Sequence, residues 1–219
     1  MKRYYAVDHS KLYLDNACTF LKKNTSNVDI IGIEADLMSL ANLKSLHQDD
    51  CRKCILFLGG TIGNFSFTLQ VQALRQIFQL MNIEDKFILV VDTNQDEKTL
   101  LKSYDNVYLY ELVKGVLKYF TQINPEFENY IDFFKVCCVW NKNLNLIDIY
   151  FQATQDMSFE MTNYGKIFIS KGQECRGIVS RKTPLKIIKE LLSKIGFNIL
   201  DILNDNSNLQ LIICQKPQK

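Results

Sequence analysis

The 219-residue chain has no apolar run approaching a membrane span. Its longest, 54–58 and 87–91, fall far short of the roughly 18 residues that crossing a bilayer requires. The opening MKRYYAVDHS also lacks the apolar core of a secretory leader, so a cytoplasmic location is the expectation. There is no block of like charge. Twenty-six Lys and Arg against 24 Asp and Glu leave a formal charge of +2 spread along the chain, which argues against a nucleic-acid or membrane-surface partner. Nor is there a spaced cysteine framework, since seven cysteines are an odd number and fit reduced thiols better than a disulfide scaffold. Cys51 and Cys54 form a C-x-x-C without a second pair or a histidine at zinc spacing, so no metal is expected. Cys54 reads instead as the first residue of a buried strand.

What is present is a 47% hydrophobic content, enough for a substantial core in one domain or one domain with an insertion. Short runs rich in β-branched and aromatic residues recur at 4–7, 29–34, 54–58 and 87–92. Helical stripes at 12–21 and 69–81 separate them, an alternation that predicts βαβ units on a parallel sheet buried on both faces. The second half differs. Residues 97–120 read as helix in pieces, 132–139 and 146–153 as strands joined by the turn NKNLN, and 166–170 as a further strand. A final helix runs to Lys194, with Thr183 as N-cap, Pro184 at its first position and Gly196 after it. The hairpin 197–203 and 209–214 closes the chain. The expected layout is an incomplete Rossmann-like part over 1–96, a β-rich substrate-binding insertion over 97–182, and a C-terminal completion of the sheet over 183–219.

The stretch FLGGTIGNF, residues 57–65, ends a central-looking strand in small and turn-forming residues. No lysine follows its last glycine, as a phosphate-binding loop requires, and the Gly-Gly-x-x-Gly spacing does not match the dinucleotide fingerprint. In open α/β sheets ligands bind outside the carboxyl ends of the strands, where Asp8 and the acids of IEADL also fall. An acid, a second acid and a glycine turn in that order suit a nucleoside-binding methyltransferase. A strand-to-helix turn without a ligand is the plainer alternative.

YYAVDHS, ADL, LFLGGTIGNF, DTNQD, KSYDN, VWN and TPLKIIKELLSKIGF together resemble, over nearly the whole chain, the histidine-specific S-adenosylmethionine-dependent methyltransferases. FLGGTIGNF is the most specific of these elements. The resemblance implies an α/β, class I methyltransferase fold and S-adenosyl-L-methionine as cofactor. It implies that Asp8 binds the cofactor ribose, that Asp36 with Leu37 holds the adenine, and that Gly59 and Gly60 let backbone approach the reactive end. Asn64 and Tyr104 would hold a small amino-acid-like substrate. Uncharged polar groups suit that task, because they orient an amine without stabilising its ammonium form.

Two departures stand out. In the segment before the last helix, where the family carries a glutamate and, two positions on, a serine to hold an imidazole, this chain has Ile178 and Ser180. Glu174 as a shifted acid is the other reading. A pocket methionine falls at about Ile149. Loss of a charge-assisted hydrogen bond, roughly 1.5–3 kcal/mol, turns the expectation from histidine toward a more apolar amino acid or amine. Secondly, Tyr4 to Val7 matches the family's second strand. The first strand, with its Glu-x-Gly-x-Gly loop, is missing from the middle of the sheet, between the strands ending at Asp8 and Leu58. A second chain or an upstream extension of the reading frame is expected to supply it. The alternatives are a truncated, inactive relative serving as an interaction subunit, and an α/β domain with some other ligand.

Overall fold

The computed structural model describes residues 2–36, 43, 51–161, 163–204 and 208–218. The chain starts with β1 (Lys2–Asp8), α1 (Lys11–Asn24) and β2 (Val28–Glu34), with β1 and β2 parallel and in register from Lys2 opposite Val28 to Asp8 opposite Glu34. β3 (Cys54–Phe57) runs into a 3-10 turn, Thr61–Asn64, then α2 (Phe67–Leu80) and β4 (Lys86–Asp92). Ser66 starts α2 by accepting a hydrogen bond from the Leu69 amide at 3.3 Å. The helix buries Gln70, Ala73, Leu74 and Ile77, the one-sided spacing of a 3.6-residue period.

β4 leads into α3 (Glu97–Tyr104) and α4 (Val107–Thr121), capped by Asp96 and Asn106, whose side chains accept from the Thr99 and Leu109 amides. A 3-10 stretch, Pro125–Phe133, precedes the antiparallel strands β5 (Phe134–Asn141) and β6 (Leu146–Ala153), the hairpin β7 (Met157–Met161) and β8 (Gly165–Ile169), and β9 (Glu174–Arg181). α5 (Leu185–Ile195), β10 (Asn198–Asn204) and β11 (Leu209–Gln215) complete the chain.

The parallel pair β3–β4 continues through antiparallel β11 and β10 into a four-stranded sheet, and β5–β6–β9 form a second, three-stranded one. Among the described residues β1 pairs only with β2, and β3 only with β4. Two main cores result. One holds Phe57, Leu74, Met81, Phe87, Leu89, Leu192 and Ile212, with Val7 and Ile33 packed against it, so the parallel β1–β2 pair and the mixed four-stranded sheet feed a single interior. The other gathers Leu100, Val113, Phe127, Ile147, Ile149 and Phe159 between α3, α4 and the antiparallel strands.

Several expectations need correction. Thr183 is not the cap of the last helix: Pro184, extended at ψ 139°, holds that position and α5 starts at Leu185, while Gly196 ends it at φ 114° as expected. Proline's ring fixes φ but leaves ψ free, so it serves as readily just outside a helix as at its first turn. Cys54 starts its strand but is exposed, because the face of β3 bearing Cys54 and Leu56 is uncovered. Strands β7 and β9 were not anticipated; β9 contains a glycine and alternates polar with apolar residues irregularly.

Candidate active site

The carboxyl ends of β1, β2, β3 and β4 carry the polar residues singled out from sequence. Asp8 ends β1, and its Oδ1 accepts from the Ser10 amide at 2.8 Å, fixing the turn into α1. His9 Nδ1 lies 3.5 Å from the same oxygen. The β1–β2 register sets Asp8 beside Glu34, and the Ala35 amide donates to the Asp8 carbonyl at 3.1 Å. His9, Glu34, Ala35 and Asp36 line an open concavity of about 300 Å³ at these strand ends. Leu37 lies outside the described residues.

Gly59 and Gly60 follow β3 with φ of 77° and 73°, in the left-handed region that a side chain disfavours. A Cβ built on either would meet no atom within 4 Å, so there is open space beside the backbone at both. Gly63 is different. A Cβ there would lie 2.7 Å from the Arg181 carbonyl oxygen, so the turn presses directly on the end of β9. Gln70, 1% exposed, steadies the same turn by donating from Nε2 to the Ile62 carbonyl at 3.0 Å. Asn64 closes the turn with an exposed side chain.

At the end of β4, Asp92 Oδ1 accepts from the Asn94 amide at 3.0 Å, Asn94 Oδ1 from the Asp96 amide at 2.9 Å, and Asp96 caps α3. α3 ends in Tyr104, whose hydroxyl donates to Ser180 Oγ on β9 at 2.6 Å. Two residues further on, Lys182 is 6% exposed; its Nζ lies 2.5 Å from Asp92 Oδ2 and 5.3 Å from the Tyr104 ring centroid. Burial alone would push the Lys182 ammonium down, but Asp92 and Tyr104 outweigh it and hold the group above the ordinary lysine value. Gln95 Nε2 donates to the Lys182 carbonyl. Asp92, α3, Tyr104 and Lys182 thus close a ring between the two cores.

Of the residues predicted from sequence, the fold brings Tyr104 and Ser180 into contact and sets Asp8 and Asp36 at neighbouring strand ends. It does not open a pocket at Ile149. That residue is 1% exposed within the second core, while its strand partner Ile178 is only partly buried against that core. Sequence reasoning gave no role to Glu34, His9, Gln95, Lys182 or Asp92. An acid at the end of β4 was a visible signal. Lys182 had none, because its partner is 90 residues away.

An α/β sheet with acids and a glycine turn at its carboxyl edge is the arrangement of a nucleoside-binding α/β protein. The fold is shared with an S-adenosylmethionine-dependent methyltransferase from Clostridium acetobutylicum, at a TM-score of 0.50 and 12% identity over 99% of this chain and 76% of that one. A Pyrococcus horikoshii protein superimposes equally well, at 0.50 and 14% identity over 98% of this chain and 73% of that one. The chain belongs to the histidine-specific, S-adenosylmethionine-dependent methyltransferases, whose family model matches residues 1–216. It is 26% identical over 216 residues to ergothioneine biosynthesis protein 1 of Schizosaccharomyces pombe, a match covering 88% of this chain and 27% of that relative. The chain therefore spans about a quarter of that relative's length.

Proposed function

We propose that this protein transfers a methyl group from S-adenosylmethionine to the α-amino group of an amino acid or a related small amine. The observation that carries the reading is the site's polarity. Glu34 and Asp36 line the concavity with Asp8 paired beside Glu34, while uncharged Tyr104 and Ser180 meet at 2.6 Å and uncharged Asn64 is exposed on the turn after β3. Acids suit the hydroxyl and amino donors of a nucleoside, while neutral groups suit an amine that must stay unprotonated. The residues present fit the cofactor: Asp8 commits one carboxylate oxygen to Ser10, leaving the other for a ribose diol. Asp36, with Leu37, would hold the adenine. The open backbone of Gly59 and Gly60 leaves room for the reactive end.

When bound, the cofactor supplies an activated methyl group. This chain then has to hold the amine in line with it and exclude water, because a well-oriented neutral nucleophile needs no covalent catalysis here. Asn64 and Tyr104 orient the amine. Partial desolvation favours its uncharged form. Ile178, in place of an acid, favours an acceptor more apolar than histidine.

The test is methyl transfer from radiolabelled S-adenosylmethionine to a panel of L-amino acids. Asn64→Ala is expected to raise KM for the amine while leaving the affinity for S-adenosylhomocysteine within about threefold, less than one hydrogen bond. Collapse of cofactor affinity would remove Asn64 from the substrate. A second reading is a binding or interaction subunit without activity; among the described residues β1 pairs only with β2 and β3 only with β4. Under it, millimolar S-adenosylmethionine leaves the melting temperature unchanged; under the enzymatic reading it raises it. A cytoplasmic location accompanies both readings.

A further inference from the structure

The ring that joins the two cores contains a cation whose place is not explained by packing alone. Lys182 could meet its need for a counter-charge through Asp92, at 2.5 Å. Its ammonium also sits 5.3 Å from the Tyr104 ring centroid, close enough to act on the phenol. A hydroxyl has one proton and two lone pairs, and either partner of a hydroxyl pair can be the donor. Beside a cation the choice is made: the negative end of the Tyr104 O–H dipole turns toward the ammonium and its proton points away, toward Ser180 Oγ at 2.6 Å. Tyr104 then has its only proton committed and a lone pair to offer.

Resting on the amine-methylation reading above, we propose that Lys182, anchored by Asp92, is a positioning residue that fixes Tyr104 as a hydrogen-bond acceptor toward the substrate amine. An acceptor takes an N–H of the neutral amine and leaves the nitrogen lone pair free to face the methyl donor. A donor in the same place would bind that lone pair and block attack. Lys182 thereby sets the direction of the Tyr104–Ser180 bond, and with it which end of the amine faces the sulfonium. The ammonium itself touches no substrate and moves no proton.

The direct test is carbon-13 NMR of protein labelled at tyrosine Cζ, with the Tyr104 resonance assigned from Tyr104→Phe. Lys182→Met is expected to move that resonance, and Lys182→Arg to restore most of it. Lys216→Met, which removes a cation from over Phe78 at the far end of the sheet, is expected to leave it in place. Should Lys182→Met fail to fold, Asp92→Asn, which frees the ammonium from its anchor, is expected to move the resonance in the same direction. An unchanged Tyr104 signal in the folded variant overturns the proposal, whether or not methyl transfer is detected.

With the active enzyme, Lys182→Met is expected to lower kcat by about tenfold, the worth of one misdirected hydrogen bond, with KM for the amine nearly unchanged. The double variant Tyr104→Phe/Lys182→Met is expected to be no slower than Tyr104→Phe alone, since both changes act through one hydroxyl. Independent, multiplying losses, or a rise in KM without a fall in kcat, refute it. Failure of the wild type to methylate any amine removes the proposed function but leaves the NMR result to decide the hydroxyl direction.

Discussion

Gly63→Ala probes the contact on which the site's geometry rests. The added methyl would lie 2.7 Å from the Arg181 carbonyl oxygen, about 0.7 Å inside the 3.4 Å at which ordinary contact begins. The neighbour is backbone in β9, paired along its length to β6, so no side chain can rotate away to make room. Overpacking of this kind costs about 1–3 kcal/mol. For a chain of this length each kcal/mol lowers the melting temperature by about 2–4 °C, so a fall of about 2–12 °C is expected. Urea unfolding should show a lower midpoint with the same slope, the mark of lost stability without loss of two-state behaviour. Because the displaced strand carries Ser180 and leads to Lys182, the tyrosine Cζ signal of Tyr104 should move as well. A melting temperature within about 1 °C of wild type would show that the turn does not press on β9 as described.

The same reasoning predicts the opposite sign elsewhere. Gly115 lies inside α4 with open space around its Cβ, so Gly115→Ala should raise stability by up to about 1 kcal/mol, read as a higher urea midpoint. Asp85, 1% exposed, accepts from the Lys53 and Asn82 amides at 2.8 Å and pairs with Lys53 Nζ at 3.2 Å. Asp85→Ala should cost about 3–5 kcal/mol by stranding these partners, measured by thermal unfolding. Burial pushes the Cys214 thiol up to about 12 from its usual 9. Its folded value is the higher one, so stability is intact below pH 9 and falls as pH rises toward about 12. Cys214→Val should flatten that alkaline decline in a pH series of melting temperatures. A decline of the same steepness would assign it to other groups, Lys182 among them, whose raised value acts in the same direction.

Local physics made much of this protein legible. The period of α2, the Gly196 stop and the β5–β6 hairpin each depend on residues within a few positions of one another, and sequence carries that information directly. The acids at the ends of β1 and β2 and the glycine turn after β3 could be read in the same way, because strand ends are marked by the chain itself. The sites of contact were another matter. Tyr104 meets Ser180 across 76 positions, and Lys182 meets Asp92 across 90. No spacing rule connects such pairs. Whether Ile149 lines a pocket or fills a core was equally beyond a pattern, since an isoleucine on a strand face looks the same in either place. Only the packing of β9 against the Gly63 turn, and of α3 against β9, brings one tyrosine, one serine and one buried ammonium within reach of each other, because burial and long-range pairing are properties of the folded chain and not of any segment of it.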